Sequence, residues 1–370
     1  MKKVLAMLLV VAMVFAAVGC AGDAPTAEQA QQAATEVAEK VEEVATEAAD
    51  KVEEEATEVV GETTKDLSGM KVVALLSGVI TDNGWNQICY ESVKNISDKY
   101  GTELEYIENI AVSDMAEYIR TYADEKYDMI IIHGSQFKAS AEELAVQYPD
   151  THFCLSYGFR VDENTADQVA DIPNLAYVGP VNMGVLIGAI MGILTETNKV
   201  VFLGGQDIPA ITDIVSGIAE GVALTNPDCE VKTDYLGTLT DADLAKERTL
   251  AFINEGFDVV SASANSAQLG CLYAAEEKGV YALGFNGDQY SIAPGAVVLS
   301  VMRNYPAIYE DVFLSIADGN WKSGMVVYTL KDMGTIVSDW HGWDGQLPKE
   351  KVDAINEVIA KLYAGELGDY

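Results

Sequence analysis

The sequence predicts an α/β protein: two doubly wound parallel-sheet lobes joined by a hinge, following a signal peptide and an acidic spacer. Three observations carry this. Beyond residue 70, short continuous apolar runs alternate with longer helical patterns, as in strands buried on both faces by helices. The alternation comes in two successive series, one before about residue 180 and one after it. The stretch before residue 70 has a different composition and carries no such runs after its first twenty residues.

Taking the elements in order, Lys2 and Lys3 form a positive start, followed by an uncharged apolar run over 4–18 that ends in Ala17-Val18-Gly19-Cys20. That is the layout of a secretory signal. The run is shorter than the roughly 20 residues that span a bilayer comfortably. The Cys directly after the small residues resembles the lipobox of bacterial lipoproteins. The resemblance implies cleavage after residue 19 and acylation of Cys20.

Residues 20–69 read as a spacer. Positions 22–66 hold fourteen acids against three lysines and no aromatic residue. Ala34-Thr35-Glu36-Val37 returns eleven residues on as Ala45-Thr46-Glu47-Ala48, and again as Ala56-Thr57-Glu58-Val59. Eleven residues make 3.67 per turn, close to an α-helix. The apolar stripe of Val and Ala is too small-sided for a strong core, and the basic face of a membrane-lying helix is missing. The expectation is a solvated tether between membrane and folded domain.

In the first series, strands are expected at 71–77, 103–107, 127–132, 151–156 and 175–178, with helices at 86–100, 113–125 and 184–195. In the second, strands fall at 199–203, 230–236, 258–261 and 280–284, with helices at 214–224, 241–255 and 269–278. The expected first lobe is 70–180 plus a returning piece at 302–325. The second is 181–301 plus 326–370.

The 370 residues carry 58 acids and 23 lysines and arginines, a formal charge of −35. That excludes a nucleic-acid partner, which needs clustered cations, and adhesion to anionic headgroups. Any membrane attachment then falls to the lipid. Cys89, Cys154, Cys229 and Cys271 form no close-spaced pair, so neither a zinc site nor a disulfide framework is indicated, although export permits a disulfide.

In doubly wound sheets, ligands sit beyond the carboxyl ends of the strands. Those ends carry Asp82-Asn83-Gly84-Trp85-Asn86, His133-Gly134-Ser135-Gln136-Phe137, Gly204-Gly205-Gln206-Asp207, Ser261 to Ser266, and Gly284-Phe285-Asn286-Gly287-Asp288-Gln289. Amides, carboxylates and aromatic rings suit a small ligand with a flat ring and hydroxyl groups. The competing reading makes Asp82 or Asn83 a helix cap and Trp85 local packing. No phosphate-binding glycine loop, nucleophile elbow or metal-binding histidine pair occurs, and the three histidines leave little for general-base chemistry. No cofactor is expected. His133 reads as structural, and His341, between Trp340 and Trp343, as part of a packed surface ribbon.

From Lys71 onward the chain resembles the basic membrane protein family of bacterial lipoproteins. The resemblance rests on Asp82 to Asn86, on Tyr148-Pro149-Asp150, on Asn174 leading to Gly184-Val185-Leu186-Ile187-Gly188, and on Gly204 to Pro209. Gly256-Phe257-Asp258-Val259, Ala274 to Gly279 and Gly284 to Gln289 also carry it. It implies a type I periplasmic-binding-protein-like fold, with a purine nucleoside or nucleobase held in the cleft between the lobes. It also implies delivery to an ABC permease and ATPase from the extracytoplasmic face of the cell membrane. By position, Trp85 and Phe137 would stack on the base, with Asp82, Asn83 and Asn86 on the first lobe and Asp207 on the second; Asn286, Asp288 and Arg303 complete the expected ligand-binding set. Two departures stand out: Asn286 where the family usually has Asp, and Arg303 where it often has Lys. An amide is a poorer partner for a ribose diol. A guanidinium fork suits a carbonyl-rich base or a carboxylate. A sensor or adhesion lipoprotein of the same fold, and a nucleoside-processing hydrolase, are the alternatives.

Overall fold

The computed structural model describes residues 67–157 and 169–370. Cys20, the signal sequence over 1–19 and nearly all of the expected spacer lie outside the described residues. The fold is carried by one compact unit, Lys65–Tyr370.

The first sheet takes β1 (Lys71–Leu76), β2 (Glu103–Ile107), β3 (Met129–His133), β4 (His152–Ser156) and β5 (Leu175–Pro180). The second takes β6 (Lys199–Gly204), β7 (Glu230–Tyr235), β8 (Val259–Ser263), β9 (Tyr281–Asn286) and β10 (Val297–Arg303). Two late strands complete them: β11 (Gly324–Tyr328) joins the first sheet and β12 (Thr335–Val337) the second. The strand orders are β11-β5-β4-β3-β1-β2 and β12-β10-β9-β8-β6-β7. Every pairing is parallel except that of β12 with β10.

The helices between strands are α1 (Trp85–Tyr100), α2 (Met115–Asp124), α3 (Lys138–Gln147), α4 (Met183–Leu194), α5 (Pro209–Thr225), α6 (Ala242–Asn254) and α7 (Gln268–Lys278). Two more follow, α8 (Tyr305–Ala317) and α9 (Lys349–Ala364). They cover both faces of each sheet. In β1, Val73 and Leu75 enter one core with Ile119 of α2 and Leu144 of α3. Val72, Ala74 and Leu76 enter another with Val93 of α1 and Phe313 of α8. This is the two-residue period of a strand with a helix layer on each side. The second sheet repeats it, with α4, α5 and α9 on one face and α6 and α7 on the other. Full burial of central strands requires apolar residues at every position, which is why they read as unbroken runs.

The chain crosses between sheets three times: after β5, after β10 and after β11. This revises the expected return of 302–325 to the first lobe. Met302 and Arg303 close β10 in the second sheet, and Val326, Val327 and Tyr328 complete β11 in the first. The end of β10 leads directly into α8, so no composition change marks the crossing. Helices α3, α8 and α9 stand in addition to the elements expected from the sequence. The α3 segment is alanine-rich with only three buried positions, so its apolar stripe is narrow.

Candidate functional site

The carboxyl ends of both sheets face a shared cleft of about 810 Å³. Ser77 and Gly78 arrive there from β1, Ser156 and Tyr157 from β4, and Gly134, Ser135 and Gln136 from the turn after β3. Gln206, Ser263, Asn286 and Arg303 arrive from β6, β8, β9 and β10. The volume lies within the range of small-molecule sites.

Asp82 is buried, and its two oxygens are already engaged. Oδ1 accepts from the backbone N–H groups of Gly84 (3.0 Å) and Gln87 (3.1 Å). Oδ2 accepts from the backbone N–H of Asn86 (3.0 Å) and from its side-chain Nδ2 (2.8 Å). A carboxylate offers about four lone-pair sites, so Asp82 closes the first turn of α1 and has nothing left for a ligand hydroxyl. The capping reading therefore describes Asp82. Asn86 is likewise occupied, its Oδ1 accepting from Gly78 N–H (3.1 Å) and Ser77 Oγ (3.3 Å). Asn83 adopts a left-handed backbone (φ 52°) and is exposed. Its carbonyl accepts from Gln289 Nε2 of the second lobe at 3.2 Å. The loop that starts α1 thus touches the opposite lobe.

Trp85 lines the cleft, but one ring face is stacked on His133 (centroids 3.9 Å apart, planes at 24°). His133 is fully buried. Its Nε2 lies 2.8 Å from the Trp85 carbonyl, and its Nδ1 lies 2.7 Å from Ser156 Oγ and 2.8 Å from Tyr309 Oη. Nε2 must donate to that carbonyl, leaving Nδ1 to accept from a hydroxyl. Burial pushes the imidazole down to about 3, against the opposing pull of the Trp85 carbonyl, and Arg303 adds to the fall. The ring is a neutral prop under Trp85.

Arg303 is 6% exposed and lines the cleft. Its Nε donates to Asn286 Oδ1 at 3.0 Å. Its guanidinium carbon lies 5.2 Å from the Trp85 ring centroid and 5.7 Å from that of Phe285. Burial pulls the guanidinium below its ordinary value, while Tyr305 and Asp213 raise it. It remains a cation at neutral pH. Asn286 is buried and holds φ 71°, a conformation that Asn tolerates better than most residues.

The remaining expected residues stand apart. Phe137 borders the cleft but is 1% exposed and belongs to the first-lobe core, so it offers no open stacking face. Asp207 is exposed and does not line the cleft; its neighbours Gln206 and Ile208 do. Asp288 also lies off the cleft lining. Its Oδ2 is 2.7 Å from His341 Nε2, its Oδ1 accepts from Tyr290 N–H (3.1 Å), and His341 stacks on Tyr290. Trp85, Asn286 and Arg303 are thus the expected residues that meet around the cleft with side-chain surface or donors to offer. Asn109, at the end of β2, lines the cleft and went unnoticed; an asparagine closing a strand was the available signal. Cys89, Cys154, Cys229 and Cys271 are free thiols, and burial pushes Cys89 and Cys271 up to about 12. Among the described residues, no group of three side chains is placed to ligate a metal, and no helix is long and apolar enough to cross a membrane.

Comparison with known proteins agrees with this architecture. The family model described as "ABC transporter substrate-binding protein PnrA-like" matches residues 70–362. A candidate ABC transporter glucose-binding protein of Haloferax volcanii, TsgA13, is 25% identical over 281 residues, covering 76% of this chain and 69% of that one. A purine-binding protein of Brucella abortus is 21% identical over 304 residues, covering 81% and 83%. The solved solute-binding protein of an Aeropyrum pernix ABC transporter system superposes with a TM-score of 0.67 at 18% identity, over 80% of this chain and 92% of that one. Such a likeness carries the fold alone, a fold of solute-binding proteins. With the family model covering nearly all of the two-lobed unit, the chain belongs to the Bmp family of PnrA-like ABC transporter substrate-binding proteins.

Proposed function

We propose that this chain is the receptor lipoprotein of an ABC importer, held on the extracytoplasmic face through acylated Cys20, and that its cleft takes a purine nucleoside or nucleobase. The carrying observation is the cleft itself: a space between facing strand ends, lined by Trp85 and holding a buried guanidinium at Arg303. A flat, acceptor-bearing ring fits that combination. A free sugar fits it less well. Asp82, the carboxylate of the cleft lining, is spent on α1, and Lys138 is paired with Glu142 at 2.7 Å. The purine-binding relative points the same way. Closure of the lobes about their three crossings would enclose the ligand and present one shape to the permease.

The test is thermal melting of the full-length chain in detergent with inosine, hypoxanthine, adenosine, adenine, ribose and glucose. A ligand at about 100 times its Kd adds roughly 2.7 kcal/mol of stability. Shifts with purines and none with ribose or glucose are expected; a shift with glucose alone would overturn the purine reading. For the anchor, labelling of the wild type by palmitate in growing cells, lost in Cys20→Ala, is expected.

A further inference from the structure

Resting on the purine reading above, we infer that the cleft selects the 6-oxo edge of a purine over the 6-amino edge, and that Arg303 makes the choice. Arg303 is a buried cation whose Nε donates to Asn286 Oδ1, with the Tyr305 hydroxyl beside it as a further, weaker partner. Its two Nη groups carry four N–H donors between them, more than that one hydroxyl can accept. No carboxylate of the described residues lies within ion-pair distance of it, although Asp213 acts on it electrostatically from α5. The other charged side chains of the cleft are committed elsewhere, Asp82 to the start of α1 and Lys138 to Glu142. A buried guanidinium left short of acceptors is costly, so a ligand that supplies them gains more here than it would at the surface.

Geometry narrows the acceptors. With Nε tied to Asn286 and the guanidinium held against the rings of Trp85 and Phe285, the Nη pair is the face left to a ligand. A 6-oxopurine presents O6 and N7, two adjacent acceptors that match an arginine fork. A 6-aminopurine presents N7 beside an N–H donor, which sets donor against donor. Asn286 acts through Arg303 as a positioning residue. The nearby start of α5 adds the positive end of a helix dipole.

Calorimetric titration of the full-length chain in detergent with hypoxanthine, adenine, inosine and adenosine tests this. Hypoxanthine and inosine are expected to bind roughly tenfold to a hundredfold tighter than their 6-amino counterparts. In Arg303→Met the preference is expected to collapse to about threefold or less, mainly through weaker binding of the oxo ligands. Arg303→Lys, a point charge without the fork, is expected to fall between the two. Purine binding with no oxo preference in the wild type, or a preference that survives Arg303→Met in a variant that melts as the wild type does, would overturn the inference while leaving the purine receptor standing. Failure of all four ligands to bind would overturn both. The wild-type comparison stands on its own even if a variant does not fold.

Discussion

His133 shows how one buried side chain can link stability to pH. Its pKa is pushed down to about 3 in the folded chain, while the unfolded chain has an ordinary imidazole near 6.5. Below pH 6.5 the unfolded state therefore binds the extra proton, and stability falls as pH falls. The contribution is complete above about pH 6.5 and declines by about 1.4 kcal/mol per unit towards pH 3. His133→Gln removes the titration. In urea unfolding, the advantage of wild type over variant is expected to shrink by about 2 kcal/mol between pH 7 and pH 5. An unchanged difference would mean that the native imidazole takes up its proton as readily as the unfolded one. Asp82 makes a second residue-scale case. Its Ala variant strips the acceptor from four N–H groups and is expected to cost about 2 kcal/mol or more in the same assay.

At the scale of elements, α4 and α5 pack against each other through glycines on both helices. A Cβ on Gly184, Gly188 or Gly221 would stand 2.2, 2.1 or 2.0 Å from the backbone carbonyl oxygen of Ile214, Ile218 or Val185, respectively. The two helices touch backbone to backbone, and neither can yield without moving as a whole. Gly221→Ala is therefore expected to destabilise by about 3 kcal/mol. Gly287→Ala, where a Cβ meets nothing within 4 Å, should stay within about 0.5 kcal/mol of wild type. Equal effects of the two substitutions would show that the helices part more easily than their packing implies. The close approach matters to function because α5 begins beside the cleft at Pro209 and Ile211, so its position sets part of the second-lobe wall.

At the scale of the folded unit, the lobes meet through the loop that starts α1. Gln289 reaches the Asn83 carbonyl, and Gln268 stands opposite Gly84, whose Cβ position lies 3.3 Å from its Nε2. The Gln268 side chain is buried with neither amide atom bonded, although opening of the lobes would return it to water. Gln268 thus opposes closure. Gln268→Met removes that penalty and is expected to slow ligand release by about fivefold, an effect on the order of 1 kcal/mol. Stopped-flow displacement of the purine ligand proposed above would read it. Faster release in the variant would mean that the amide bonds to something in the closed form.

Much of this was legible in the chain itself. The central strands announced themselves because burial on both faces demands uninterrupted apolar residues, and the glycine-, amide- and carboxylate-rich strand ends marked where a cleft would form. The family's motifs were written in the same places, and Arg303 and Asn286 could be picked out there. The assignment of each polar group was not legible. A carboxylate at the end of a strand can face a ligand or close a helix, and only the folded geometry shows all four acceptor sites of Asp82 spent on α1. A tryptophan after a strand reads as a stacking plate, and only packing lays His133 against it. The crossings after β10 and β11 carry no local signal, because a strand's sheet is chosen by its distant neighbours. The sequence by itself determined the two-sheet architecture and its ligand-facing ends, since burial patterns and strand-end chemistry are local. Tertiary structure alone decided which side chains remain free to bind, since a hydrogen-bonding group is used up by whatever the fold places beside it.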